Sequence, residues 1–440
     1  MTAVGRVGLV AVGALTTIVI ARLLGPSGSG AYFVAQSLLV LLTVAATLGI
    51  EHGIVYFVSS GKWSARSAYG TALEMAILTG LAGAVVGLAL RLAFPSAFAG
   101  LSVWLVAVVV GGLPFTLAWI YARFVALAID RYEAFVLPPF VQATGALLLA
   151  IPGALLYDVS GAVIGMTVSA VLVAIGTVVW ANRALERSPV AEPKLLRRAI
   201  AFGLRGYAAN GLQLLNYRLD VFVLAAVASA VTVGQYSIAF AMTSVLWLLP
   251  GALAEVLFPR VAHLHAQEGD AAAEQLELVE IKSVRHATIV AVASAGLVAL
   301  ALVFLVVPIF GSEFQPATEL GLIMLPGAAV IGIAGVFSST IVGRGKPVYS
   351  LYSALIVTPV TMALYFSLIP WLGATGAALA STISYSLSFV VASAFYHRTT
   401  GRRVDRVLLP TRSEFDDLRR LPNAVAAWAR GLRGSAIADR

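Results

Sequence analysis

A chain of 440 residues, 60% hydrophobic, 11% charged and with a mean hydropathy of +0.93, is too apolar for a soluble domain, which carries about 25% charged residues. It has no cysteine, which excludes disulfides, thiolate metal centres and cysteine nucleophiles. The net charge of +8 sits on Lys and Arg in short loops and the tail, where it reads as membrane orientation and not as nucleic-acid binding.

Crossing a bilayer takes about 20 apolar residues. In chain order such runs fall at 4–24, 31–58, 68–91, 101–122, 134–156 and 161–182. A second set follows at 203–228, 234–258, 286–308, 317–342, 349–370 and 374–396. Turn signals such as Gly25-Pro26-Ser27-Gly28 and Gly343-Arg344-Gly345-Lys346-Pro347 separate them. The first run has no basic stretch beyond Arg6 and no small-residue cleavage site, so it reads as a membrane helix and not as a signal peptide. With both termini in the cytoplasm, every Lys and Arg except Arg22, Arg91 and Arg218 falls inside, as the positive-inside rule requires.

The halves repeat. Gly30-Ala31-Tyr32 matches Gly234-Gln235-Tyr236, and the same register carries Glu51 onto Glu255. SGAVIGMTVSAVL from Ser160 matches TGAALASTISYSL from Thr375. Repeats with an even number of spans are parallel, related by an axis along the membrane normal. The expected architecture is therefore an all-α polytopic membrane protein with about 12 transmembrane helices in two pseudo-symmetric six-helix lobes. The lobes cover 1–200 and 201–398, and a cytoplasmic basic tail covers 399–440.

Across its middle, Gly206–Val227, the seventh span carries Asn210, Gln213, Asn216, Arg218 and Asp220. Charge near the bilayer centre costs about 2.5–3.5 kcal/mol on insertion scales and normally faces a polar cavity or a partner. Arg218 lies 13 residues past Arg205, about 20 Å into the membrane, where a guanidinium can hold a pyrophosphate bidentately. Positions two apart do not face each other, so Arg218 and Asp220 are not expected to pair. Asp220 reads either as a proton or cation site or as half of a structural ion pair. Asn210, Gln213 and Asn216 share one face and either bind sugar hydroxyls or join helices. Arg22 lies near the outer end of the first span, closing the cavity mouth or snorkelling to the interface. Glu51, Glu255, His52 and Glu74 lie near the inner ends of their spans, as gate or ion-coupling groups or as ordinary interfacial charge. The tail has a helix-start pattern at Ser413 and a stretch at Asn423–Gly431 suited to an anionic leaflet. No phosphate-binding Gly-Lys-Ser/Thr loop, zinc-helix motif or serine elbow is present, so no catalytic residue and no metal site is expected.

ARLLGPSGSGAY after the first span, GLRGYAANGLQLLNYRLDVFVLA in the seventh and LPGALAEVLFPRVAHL closing the eighth resemble polysaccharide repeat-unit flippases. GRGKPVYS and IPWLGATGAALAS fit the same pattern. These flippases belong to the multidrug/oligosaccharidyl-lipid/polysaccharide (MOP) exporter superfamily. The resemblance covers about residues 1–398 and implies two six-helix lobes that flip a lipid-linked oligosaccharide across the cytoplasmic membrane by alternating access. It implies a polyprenyl-pyrophosphate-linked glycan, membrane lipids and glycan-assembly proteins as partners, and no nucleic acid. It implies no cofactor beyond coupling to H+ or Na+. The lipid-II branch of the superfamily usually has two further spans where this chain has a basic tail. A cation-coupled multidrug or small-molecule exporter of the same superfamily is the alternative, although it would favour carboxylates in the cavity over a central Arg. A membrane-embedded glycan polymerase or ligase fits less well, because the outer loops are short and hold few acids.

Overall fold

The computed structural model describes residues 2–185, 193–267 and 269–416, without the side chains of 2–7, 193–196, 202, 204–208 and 210. With no water in the bilayer core, a spanning segment must satisfy its own backbone polar groups, and helices do so internally. The helices are α1 (Thr2–Thr47), α2 (Ile50–Ser59), α3 (Ala65–Ala93), α4 (Val103–Gly111), α5 (Leu113–Ala128), α6 (Tyr132–Ala184) and α7 (Pro193–Val227). They continue as α8 (Ala230–Ser244), α9 (Leu248–His265), α10 (Asp270–Phe310), α11 (Pro316–Gly343), α12 (Val348–Thr400) and α13 (Val404–Leu408). Among the described residues, 8 helical segments are long and apolar enough to cross a membrane. Three of these are double crossings, turning at Gly25 in α1, at Tyr157–Asp158 in α6 and at Gly373 in α12. The polar α7 brings the crossings to about twelve, as the apolar runs predict.

Two of the turns carry the repeat. Asp158 (φ 50°, ψ −137°) and Gly373 (φ 57°, ψ −131°) are equivalent in the Ser160/Thr375 register and share one backbone conformation. The helices leaving each turn touch at the same place. A Cβ on Gly161 would stand 1.9 Å from the Gly153 carbonyl oxygen, and one on Gly376 would stand 2.2 Å from that of Leu368. Small residues allow this approach. Asp158 holds a conformation suited to glycine, at a strain of about 1–3 kcal/mol. Glycine gives back about 0.5–1 kcal/mol in unfolded-state entropy. Asp158→Gly is therefore expected to stabilise the protein by about 1 kcal/mol, read as a higher melting temperature in detergent. A lower melting temperature would contradict the strain argument.

The structure shifts several boundaries. α10 begins at Asp270, although the apolar run starts at 286, because the charged stretch between them has no Gly or Pro to break it. Residues 270–285, outside the apolar run, are thus the first turns of this helix. The second span breaks at Leu48–Gly49, both at positive φ (50° and 71°). The fourth divides at Gly112 ahead of Pro114, and the eighth at a 3-10 turn, Val245–Trp247, ahead of Pro250.

Packing divides the chain into two compact units, one of residues 1–245, 298–327 and 351–385, the other of 246–297, 328–350 and 386–440. In the first unit α1 packs on α6 and α8, and α3 on α5. Gly83 sits against Leu113 and Gly87 against Val110. In the second, Glu280 of α10 is fully buried and receives Arg344 Nε at 2.6 Å and Nη2 at 2.8 Å, together with Arg402 Nη1. Arg344 follows the end of α11, and Arg402 follows α12 and its left-handed Gly401 cap (φ 73°), so one carboxylate of α10 gathers two helix ends. A last helical turn, residues 412–416, is capped at Thr411 and not at Ser413. The Thr411 N–H donates to Glu414 Oε2 at 2.7 Å, a capping box. Burial acts to raise the Glu414 pKa, but the Thr411 hydroxyl and N–H and Arg285 hold it down at about 2. The Asn423–Gly431 stretch lies outside the described residues.

Candidate functional site

The first unit encloses a cavity of about 440 Å³ walled by α1, α5, α6 and α8, with Arg218 projecting from α7. The Arg218 guanidinium lies 5.3 Å from the centroid of the Phe33 ring and 4.9 Å from that of Phe240, and Nη1 donates to Ser37 Oγ at 3.4 Å. Such cation–aromatic contacts are worth about 2 kcal/mol or more where water is excluded, which helps to hold a charge inside the helices. Among the described residues no carboxylate is paired with Arg218, and none lines the cavity. The remaining polar lining is neutral. The Ser29 and Thr43 hydroxyls and the Trp119 indole N–H are buried without a partner among the described residues, and Gln36 and Gln142 also face in. Buried polar groups left unpaired cost about 1–3 kcal/mol each, so these donors and acceptors are arranged for water or for a polar guest.

Asp220 lies on the other face of α7 with Asn216, one turn earlier, and neither lines the cavity. Asp220 is fully buried and accepts from the Tyr236 hydroxyl, from Ser381 Oγ at 3.4 Å and from the Val221 N–H at 2.8 Å. Tyr365 donates to the Asn216 carbonyl oxygen at 2.6 Å, and its hydroxyl lies 3.3 Å from Ser381 Oγ. The Asn216 side-chain amide is buried, and both of its polar atoms lack a partner among the described residues. The five polar residues of this span thus do not form one wall. Gln213 stands one turn before Tyr217 on α7, and the Asn210 side chain lies outside the described residues.

Arg22 does not line the cavity. Its Nε donates to the Ile309 carbonyl oxygen at 2.6 Å and its Nη2 to that of Pro308, capping the last turn of α10. Close by, Gln235 donates to the Glu313 carbonyl at 2.8 Å. Glu51 is buried in the first turn of α2, where the helix N-terminus favours a carboxylate, and its Oε2 has no partner among the described residues. Its repeat equivalent Glu255, in the second unit, is exposed, as are His52 and Glu74 in the first. The His52 and Phe124 rings meet edge-on, with centroids 6.3 Å apart.

Sequence reasoning missed the aromatic pair around Arg218 and the hydroxyls around Asp220. Tyr236 was visible only as the third residue of the Gly-Gln-Tyr repeat, and Ser381 only as a small residue of the second repeat.

A family model described as polysaccharide biosynthesis protein matches residues 19–319. A sequence comparison with curated proteins finds no match. The fold is similar to that of lipid II flippase MurJ in an inward closed conformation, with a TM-score of 0.71 at 12% identity over 92% of this chain and 88% of that one. It is also similar to a multidrug resistance MATE family transporter of the MOP superfamily in an inward-facing conformation. That match has a TM-score of 0.64 at 15% identity over 91% of this chain and 98% of that one. A MATE family transporter in an outward-facing conformation gives 0.63 at 14% identity over 91% and 94%. At these identities the likeness establishes the fold.

Proposed function

The chain belongs to the polysaccharide biosynthesis protein family, and from that premise we propose that it flips a lipid-linked oligosaccharide across the cytoplasmic membrane. The observation that carries this reading is a cavity holding one guanidinium and, among its described lining residues, no carboxylate. Such a site attracts an anion and repels a cationic drug. The pyrophosphate of a polyprenyl carrier offers paired oxygens to the Arg218 fork. Trp119, Gln36, Gln142 and the Ser29 and Thr43 hydroxyls suit the rings and hydroxyls of a sugar. The lipid tail stays in the bilayer while the sugar passes, and the two lobes, 1–200 and 201–398, alternate access. Both termini face the cytoplasm, in keeping with the placement of Lys and Arg. No step in this process makes or breaks a covalent bond.

The test is translocation in proteoliposomes of a fluorescent polyprenyl-pyrophosphate sugar set beside a cationic dye. Movement of the sugar lipid and not of the dye supports the flippase. Movement of the dye alone would replace it with the multidrug exporter.

Asp220 serves as the coupling residue in this reading. Its carboxylate, the Asn216 main-chain carbonyl and the hydroxyls of Tyr236, Tyr365 and Ser381 form an oxygen cluster suited to a proton or to Na+. Asp220→Asn keeps an acceptor for the Tyr236 hydroxyl and removes the charge. Wild-type transport is expected to rise several-fold under an imposed H+ or Na+ gradient, and the variant is expected to be indifferent to it. A variant as gradient-dependent as the wild type would remove Asp220 from coupling.

A further inference from the structure

A second cavity, a groove of about 390 Å³, runs along α5 and both halves of α6 in the first unit, away from the Arg218 cavity. Leu137, Val141, Leu149 and Leu172 supply its walls. Leu137 and Leu172 are 58% and 56% exposed, so the groove opens outward, onto hydrocarbon in a bilayer, and not into the helix core. At one end stands Arg123. Its guanidinium lies 4.5 Å from the Phe135 centroid and 5.1 Å from that of Phe124, and its Nε is buried without a partner. Among the described residues no carboxylate pairs with it.

This end of the groove is also where α5 and the second half of α6 terminate. Trp180 lines the groove there, Arg66 donates to Asn182 Oδ1 at 2.9 Å, and Arg183 follows. An indole beside basic residues at helix ends marks the membrane–water interface. An apolar slot running from that interface into the bilayer, with an uncompensated cation at its mouth, matches a lipid with an anionic head and an acyl chain.

We infer that this groove is a binding site for an anionic phospholipid of the surrounding leaflet, with its phosphate on Arg123 and one acyl chain along α6. Charge complementarity selects the head group and the open apolar walls hold the chain. The inference rests on the membrane reading of the chain but not on its cargo, so its outcome is independent of the transport assays.

The test uses the full chain in a neutral detergent, stripped of lipid and titrated with phosphatidylglycerol or with phosphatidylcholine of the same acyl chains. The readouts are melting temperature and native mass spectrometry. In the wild type, phosphatidylglycerol is expected to bind more tightly and to raise the melting temperature more. Arg123→Gln is expected to lose about five-fold in affinity for phosphatidylglycerol, the worth of one basic residue near a membrane surface. It should leave phosphatidylcholine binding unchanged, and Arg123→Lys should keep the preference. A Cβ on Gly176, in the groove wall, would meet no atom within 4 Å. Gly176→Leu should therefore fill the slot and abolish stabilisation by both lipids while leaving the lipid-free melting temperature near that of the wild type. Equal binding of the two lipids by the wild type, or a preference that survives Arg123→Gln, would overturn the assignment. Displacement of phosphatidylglycerol by an equimolar polyprenyl pyrophosphate would also overturn it, by making the groove a carrier site.

Discussion

Glu280→Ala is expected to destabilise the second unit by about 3–5 kcal/mol, the usual consequence of removing one partner from a buried ionic cluster. The Glu280 side chain is fully buried, and Arg344 and Arg402 are only 15% and 17% exposed. Without the carboxylate, two guanidiniums would face each other with no counterion in common. Arg402 would keep a second acid, Glu277 at 3.5 Å, which is half exposed and a weak substitute. The loss would release the ends of α11 and α12 from their shared anchor on α10, and a drop in melting temperature together with protease sensitivity at Arg344 and Arg402 would report it. Replacing all three residues with apolar ones of similar size should recover most of the stability, because the cost of the single change is the unpaired charge. A single variant as stable as the wild type would mean that water already compensates the pair.

Gly234→Ala comes next in expected effect. A Cβ there would stand 1.8 Å from the Pro26 carbonyl oxygen, and the repeat-related Gly30 would meet the Ala230 oxygen at 2.1 Å. Both obstacles are backbone, so the bend of α1 and the start of α8 must separate. Overpacking of this kind costs about 1–3 kcal/mol and sometimes more, and with no side chain free to yield the expected loss is about 3 kcal/mol. Once the helices have separated, adding Gly30→Ala should cost little more, so the double variant is expected to fall well short of additivity. Additive losses in melting experiments would show that the two glycines act at separate contacts.

The apolar runs were enough to place the crossings, because a bilayer demands long uninterrupted hydrophobicity whatever the packing. The repeat registers were also legible, and they extend into backbone detail at Asp158/Gly373 and into a direct contact at Gly30/Gly234. The double crossings of α6 and α12 were legible too, since Asp158 and Gly373 fall in the gaps between consecutive apolar runs. In the site, helical periodicity separated Arg218 from Asp220 but not what each one faces. Phe33 and Phe240 are ordinary apolar residues in sequence and become a clamp only when α1 and α8 close on α7. Arg22 was identified as an outer charge near the cavity mouth, but the exposed carbonyls of α10 that it caps belong to a helix end far along the chain.

The most direct measurement is the initial rate of flipping of a polyprenyl-pyrophosphate sugar by wild type, Arg218→Lys and Arg218→Gln in matched proteoliposomes. If Arg218 holds the pyrophosphate, Gln should abolish transport, and Lys, which keeps the charge without the bidentate fork, should retain a fraction of it. Bulk lipid scrambling and melting temperature should change little in either variant. Wild-type rates in Arg218→Gln would contradict the account and leave the guanidinium as a packing group between two aromatic rings.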